Sequence, residues 1–408
     1  MKKRNIAFVT KFFTDNACRT IKRLISDKSH AVFLLSEDTK DSLPQALRTK
    51  LAHHGRIYKL ANPAVIVQQL QKLATAHGPM EALFADSEEL QVSVAEARKS
   101  LSIGGMSVQV AKNFREKTRM KKIWESHGIP CAKHCYTRSV KKLEQFIKTV
   151  GYPVVLKPND GMRSEGVIMV HNPQQLAKAA QRLHIEEGIM AEEFISGKEY
   201  SCEMLFVNGK VVWHSTTHYL ENPLVANGQV NTHWELVLPG TTPELSARIK
   251  KLSAKAAKLL GIVNGMTHLE WFVSGKGKIY LSEMGARPPG ALIPRLIALA
   301  YDFDLINAWT DIMVSGKMKD PVLRDRKFYS AAIFLRSNKK GKVKSIQGLR
   351  QMMRKYKDVI IEKDLPWIGQ PVSTGYEGDG HLALRHTSLE SLLGAMKEIS
   401  GKVKVIAG

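Results

Sequence analysis

Cysteine is scarce in this chain, with 4 in 408 residues, which excludes a disulfide framework and sets the expectation of a reducing compartment. Long apolar runs are missing too. None approaches the roughly 20 residues that a membrane-spanning helix needs, so no membrane partner is expected. The opening Met-Lys-Lys-Arg-Asn-Ile-Ala-Phe-Val-Thr imitates a signal peptide. Lys11 breaks its apolar part short of the usual ~7–15 residues, so Ile6–Thr10 reads as a buried strand and a cytoplasmic location is expected. Acidic residues are outnumbered, 38 Asp and Glu against 61 Lys and Arg, leaving a net charge of +23. That balance points to an anionic partner: nucleic acid, an acidic metabolite or a membrane surface. Yet aromatics make up only 7% and do not interleave with the basic clusters at Arg115–Lys122, Lys250–Lys258, Arg324–Lys327 and Lys339–Lys344. With no basic tail and no nucleic-acid motif, nucleic-acid binding is not the expected function, and the clusters read as solvated helix faces. There is no Gly-x-x-x-x-Gly-Lys-Ser/Thr phosphate loop, no internal repeat and no low-complexity linker.

What is present is an alternating chain long enough for two or three domains. Residues 5–112 alternate apolar strands (Ile6–Thr10, Ala31–Leu35, Glu81–Ala85) with helical spacing (Ala17–Ile25, Ala64–Ala74), which predicts a parallel sheet with crossover helices. A charged helix is predicted over Phe114–His127, stopped by Gly128 and Pro130. Residues of about 130–208 read as a small α+β unit, with helices at Val140–Val150 and Pro173–Leu183 among four strand-like runs. Leu245–Leu260 reads as a long basic helix, and the pattern after Pro321 is β-rich.

Three stretches carry chemistry. His268–Glu283 reads as a hairpin turning at Lys276 and Gly277, which sets Glu270 across from Glu283. Facing carboxylates repel. A magnesium ion between them would turn repulsion into ligation; the ordinary reading is a solvent-facing acid pair screened by Lys276 and Lys278. On this register His268, Glu270 and Phe272 share a face with Leu281, Glu283 and Gly285. Pro153-Val-Val-Leu-Lys-Pro158 ends an apolar strand on Lys157, a costly place for an ammonium unless an anion pairs with it. In the loop that follows, Gly161 and Gly166 permit close approach and Ser164 can donate to phosphate oxygens. Ala191–Tyr200 is an acidic strand, turn and further acid; its edge could read a purine base, and Glu199 could accept from ribose hydroxyls. Cys131-Ala-Lys-His-Cys135 lacks a second ligand pair and is not expected to bind metal. Any one of His214, His218 and His233 reads first as a surface histidine.

In this order, a lysine, a glycine loop, an acidic hinge and a Glu/Glu hairpin followed by Gly-Ala-Arg-Pro-Pro resemble the ATP-grasp superfamily, closest in motif to its L-amino-acid ligase and biotin-carboxylase-like branches. The resemblance covers nearly the whole chain. It implies an α/β ATP-grasp architecture: a parallel pre-ATP domain (1–112), an ATP-grasp domain (113–320) with an α+β lid at about 130–208, and a β-rich region (321–408) completing a mixed-sheet body. It implies that Lys117 and Lys157 hold nucleotide phosphates and that Gly161, Ser164 and Gly166 lie in the covering loop. Glu192 would receive the adenine amino group or its neighbour, Phe194 and Ile195 would offer backbone groups to adenine, and Glu199 would bind ribose. Glu270 and Glu283 would ligate magnesium, with manganese an alternative, and Arg287 would stabilise the acyl-phosphate. Many relatives carry Asn two residues after the second Glu as a third metal ligand; here that residue is Gly285. The implied activity is ADP-forming ligation of a small carboxylate to an amine, with a homodimer the state relatives suggest. The rivals are a carboxylase-type or purine-pathway enzyme activating bicarbonate or formate, although no Ala-Met-Lys-Met carrier motif occurs, and a nucleotide-binding regulator without turnover.

Overall fold

The computed structural model describes residues 3–39, 42–159, 166–221, 233–319, 325–337, 339–373, 375 and 377–408. The first unit is a parallel sheet, β3-β2-β1-β4, built from β1 (Arg4–Thr10), β2 (His30–Ser36), β3 (His53–Arg56) and β4 (Ala82–Ala85). β1, β2 and β4 are nearly continuous apolar runs, as a sheet covered on both faces demands, whereas β3, His-His-Gly-Arg, lies at the edge and is only partly buried. Helices Asp15–Ser26 and Pro63–His77 supply crossovers. The C-terminal ends of β1 and β4 deliver Lys11, Phe12, Asp86 and Glu88 to the cleft described below.

The second unit is a four-stranded antiparallel sheet, β5-β8-β6-β7, of β5 (His134–Thr137), β6 (Val154–Pro158), β7 (Ile168–Val170) and β8 (Ile189–Glu193). Helices Val140–Val150 and Pro173–Arg182 bury Leu143, Ile147, Leu176 and Ala179 against it. This unit is shorter than the expected 130–208. β9 (Gly197–Val207) pairs instead with β10 (Lys210–Tyr219) and with β12 (Gly265–Ser274), because its apolar residues complete the core of a larger sheet. At Gly197 any Cβ would run into the carbonyl of Val273, which fixes glycine where the chain enters that sheet.

The large sheet runs β13-β12-β9-β10-β11-β14-β17-β16, adding β11 (Trp234–Leu238), β13 (Ile279–Gly285), β14 (Tyr329–Leu335), β16 (Ile360–Asp364) and β17 (Gly380–His386). A mixed sheet was expected, but every pairing between these strands is antiparallel. Short turns join β9 to β10 and β12 to β13, which sets those pairs antiparallel without a crossover helix. A separate two-stranded sheet pairs β15 (Val343–Gln347) with β18 (Lys404–Ala407).

Strand β9 shows how sequence alternation builds the site. Tyr200, Cys202, Met204 and Phe206 point into a core with Trp124, Ile249 and Leu260, under helices Lys117–Ser126 and Pro243–Leu260. Glu199, Ser201 and Glu203 therefore point the other way. The predicted helix over Phe114–His127 is in fact two, Val108–Arg115 and Lys117–Ser126, because Glu116 is extended with φ −89° and ψ 103°. The break makes Lys117 the first residue of its helix. There its N–H donates to the Asn159 carbonyl at 3.2 Å and that of Thr118 to Asn159 Oδ1 at 3.0 Å, tying the helix to the end of β6.

The three histidines weighed as surface groups are all at least partly buried. His218 stacks on Tyr200 with ring centroids 4.5 Å apart, and Tyr200 stacks on Trp271 at 4.7 Å. His214 lies beside Ser246, and His233 reaches the Val403 carbonyl at 2.9 Å. Burial, with Lys250 and Lys198 as lesser causes, lowers His214 and His218 to about 4 from an ordinary 6.5. Between those values the unfolded chain binds more protons than the folded one, so acid destabilises the fold. Melting followed by circular dichroism should show Tm falling as pH drops from 7 to 5. His218→Phe, which keeps the stack and takes no proton, should flatten part of that fall; an unchanged slope would place the acid sensitivity elsewhere.

Candidate active site

The units meet around a cleft of about 1060 Å³. Its floor is the acidic face of β9, β12 and β13, and its position depends on one irregularity. From the turn inward, Val273, Phe272 and Trp271 pair with Ile279, Tyr280 and Leu281; then the register slips by one residue, and Glu270 pairs with Glu283. Ser282 is the extra residue of a β-bulge. The bulge sends Leu281 into the core beside Trp271 while Glu283 faces the cleft beside Glu270. The expected face is corrected accordingly: Tyr280, not Leu281, lies across from Phe272. A strand without the bulge would set Ser282 opposite Glu270.

The opposite wall carries ammonium groups. Lys117 Nζ lies 3.2 Å from Glu283 Oε2. Lys157, on β6, and Lys121, one helical turn after Lys117, are both buried and clasp one carboxylate: Lys121 Nζ is 2.7 Å from Glu192 Oε1 and Lys157 Nζ 2.8 Å from Glu192 Oε2. Burial alone would raise the Glu192 carboxyl and lower the Lys157 ammonium, but Lys121 and Lys157 hold Glu192 low and Glu192 holds Lys157 high. Glu192 thus has company other than the adenine amino group expected for it. Phe194 and Ile195 line the cleft next to it. The Phe194 N–H is engaged by the Pro153 carbonyl at 3.3 Å, so a base at this edge would meet the carbonyl of Phe194 or the amide of Ile195.

Glu199 faces the cleft from β9, beside Phe272, with Oε2 buried and lacking a hydrogen bond. Burial, then Glu270 and Glu283, push its carboxyl well above the ordinary value. Glu283 goes the other way: burial would raise it, but Lys117 and Lys157 hold it at about 2. His268, a residue the sequence placed on the right face without a role, is buried with Nδ1 2.8 Å from Glu203 Oε1 and Nε2 3.7 Å from Glu270 Oε1. Burial opposes its charge, yet Glu203 and Glu270 raise it to about 9.

Arg287 also faces the cleft but is tethered. Its Nε and Nη2 donate to Glu88 Oε2 at 3.0 and 2.8 Å, and Nη1 to the Pro288 carbonyl at 2.9 Å. Glu88, contributed by the first unit, also meets Arg115 at 3.3 Å. A Cβ at Gly285 would sit 3.6 Å from both Arg287 Nε and Glu88 Oε2, so this position faces the ion pair. Gly161 and Ser164 lie outside the described residues. Gly166, at φ +70°, follows them, and a Cβ there would come within 2.9 Å of Pro158 Cγ.

The structure therefore brings Lys117, Lys157, Glu192, Phe194, Ile195, Glu199, Glu270, Glu283 and Arg287 to one cleft. The sequence reading missed Lys121, His268, Glu203 and Glu88. Lys121 had a signal: four residues after Lys117 on a helix, it shares that face. Glu88 had none, since its meaning comes from a contact with Arg287, 199 residues away. The donor set fits a hard divalent cation. Glu270 and Glu283 are paired across the hairpin and both line the cleft, and the buried Glu199 Oε2 beside them lacks a hydrogen-bond partner. The paired buried ammonium groups on Glu192 fit a polyanion such as a triphosphate.

Residues 150–294 match the sequence profile of the ATP-grasp domain. The chain is 22% identical over 316 residues to the L-arginine-specific L-amino acid ligase of Bacillus subtilis, spanning 73% of this chain and 75% of that protein. It is 25% identical over 238 residues to D-alanine–D-alanine ligase B of Chromobacterium violaceum, spanning 55% of this chain and 75% of that one. The crystal structure of an L-amino acid ligase from Bacillus licheniformis has the same fold, with a TM-score of 0.80 at 17% identity over the whole of both chains.

Glu192→Gln tests the charge balance directly. It leaves Lys121 and Lys157 facing a neutral amide, a change that costs on the order of 3–5 kcal/mol when one partner of a buried pair is lost. Urea denaturation should show that loss, and saturating ATP should restore more stability to the variant than to the parent. Equal stabilisation of both by ATP would mean that the two ammonium groups do not meet the nucleotide.

Proposed function

We propose, on the premise that this chain is an ATP-grasp protein of the carboxylate–amine ligase class, that the cleft joins an amino acid or similar small carboxylate to an amine, with ATP converted to ADP and phosphate. One observation carries the reading: buried ammonium groups on one wall face a registered pair of carboxylates on the other. That pairing suits a nucleotide triphosphate and its metal ion.

In this reading Lys117, Lys121 and Lys157 meet the phosphate oxygens, and Glu192 fixes two of those ammonium groups in place. Glu270 and Glu283 would hold magnesium, which would supply positive charge against the nucleotide phosphates. His268, anchored by Glu203, keeps the Glu270 carboxylate turned toward the cleft. Phe194 and Ile195 border the adenine and Glu199 the ribose. A substrate carboxylate oxygen bonds to the γ-phosphorus as the bond to ADP breaks, giving an acyl-phosphate. Arg287 lies beside the developing charge, its guanidinium aimed by Glu88. An amine nitrogen then bonds to the acyl carbon, phosphate leaves, and the amine gives up a proton. Catalysis here is mainly positioning and charge stabilisation. The β5–β8 unit would cover the nucleotide and exclude water, which otherwise consumes an acyl-phosphate.

The test is ADP release with Mg-ATP across a panel of amino and dicarboxylic acids, with bicarbonate as a separate arm. Amino-acid-stimulated release should fall by about 10²–10³ in Arg287→Ala, as for loss of one preorganised charge-stabilising donor, and should disappear in Glu283→Gln. Release driven by bicarbonate without an amine would replace this reading with a carboxylase. Tight ATP binding with no release on any arm would replace it with a regulatory role.

A further inference from the structure

The active-site reading leaves the excess positive charge unexplained, because carboxylates outnumber lysines and arginines along the cleft. The charge concentrates elsewhere. Residues 339–357 contain eight Lys and Arg and no Asp or Glu. They form β15, helix Leu349–Lys355 and the segments around them. Beside them, in the connection between β16 and β17, stand two of the most exposed large apolar side chains among the described residues, Trp367 at 64% and Ile368 at 62%.

These two sit on a built turn, not a loose end. Gly369 N–H donates to the Val343 carbonyl and Val343 N–H to the Gln370 carbonyl, both at 2.8 Å. Trp367 N–H donates to Gln370 Oε1 at 3.2 Å, and Gln370 N–H to the Trp367 carbonyl at 3.1 Å. Lys342 bridges Pro371. The turn is therefore pinned to the start of β15, with exposed Lys339, Lys340, Lys342 and Lys344 along that segment and Lys363 on β16; Lys404 lies at the other end of β15, across from Gln347. The acids around it are few: Asp358 follows the basic stretch, Asp364 and Glu377 are exposed on either side of the turn, Glu398 is paired with Lys355, and Glu362 is tied to Arg295.

We propose that this face docks on an anionic lipid surface, with Trp367 and Ile368 entering the headgroup region and the surrounding lysines meeting the headgroups. Tryptophan favours that interface, and lysines near an anionic leaflet add binding one by one. Neither signal is strong alone, and stable attachment takes both. The expectation of no membrane partner rested on spanning helices. Among the described residues no helix is long and apolar enough to cross a membrane, but surface docking needs none. Two other occupants fit less well. Single-stranded nucleic acid is bound by successive aromatic platforms along a groove, whereas here one tryptophan stands on a protruding turn beside an isoleucine that cannot stack. A second copy of the chain would bring one ring of lysines against another.

The experiment is co-sedimentation of the full chain with vesicles of phosphatidylcholine alone and of phosphatidylcholine with phosphatidylglycerol. Binding should appear only on the anionic vesicles and weaken with salt. Lys342→Ala with Lys344→Ala should reduce it about thirtyfold, from roughly a fivefold contribution per lysine. Trp367→Ser with Ile368→Ser should reduce it by at least tenfold and abolish the blue shift of tryptophan fluorescence. Circular dichroism and ADP release in solution should be unchanged in both variants. Equal binding to the two vesicle types, no binding, or full binding by the Trp367→Ser, Ile368→Ser variant would overturn the proposal. So would a concentration-dependent dimer dispersed by that variant, or preference of the same residues for poly(U) RNA.

Discussion

A buried charge needs a partner, and most of this structure's functional half is arranged around that requirement. Buried Glu192 has two ammonium partners, the partly exposed Glu283 has one and buried Glu199 has none, so the first two carboxyls are held low by their lysines while burial pushes the third up. The partners come from separate elements: Lys121 from a helix, Lys157 and Glu192 from the small sheet, Glu283 from the large one. The helix Lys117–Ser126 is thus tied to the small sheet through Lys121 and to the large sheet through Lys117. Removing one charge would disturb packing as well as chemistry, because a lone buried ion costs more than the pair contributes.

Much of this arrangement was legible in the chain, and the reasons are physical. Alternation along β9 separates Tyr200, Cys202 and Met204 from Glu199, Ser201 and Glu203, and period two is enough to see it. Helix Val140–Val150 is bracketed by Ser139 and Gly151, so its bounds follow from local rules. Lys157 stood out because an ammonium closing an apolar strand needs an anion. These signals are local, and the resemblance to the ATP-grasp superfamily joined them in order.

What was not legible depends on contacts distant in sequence or on small backbone departures. The break at Glu116 has no glycine or proline to announce it; docking of Thr118 onto Asn159 accompanies it. The pairing of β9 with β12 is a tertiary choice that no window of residues reveals. Glu88 and Arg287 meet only after two units assemble. The Glu270–Glu283 pairing was anticipated on the wrong count, since the turn closes one residue earlier than assumed and the bulge restores the match.

That bulge also bears on how this strand tolerates change in length. Deleting a residue from an ordinary strand inverts everything beyond the deletion, sending core groups to solvent and solvent groups to core. At Ser282 the extra residue already performs one such inversion. Its loss would straighten β13 and leave Glu283 across from Glu270, Met284 across from Leu269 and Gly285 across from His268. An insertion elsewhere in the same strand would have no such refuge. Loss of Leu281 or of Glu283 would restore the same parity but would put Ser282 in the core or in the cleft in its place, so among the three only Ser282 can go without emptying a position that the packing or the site uses.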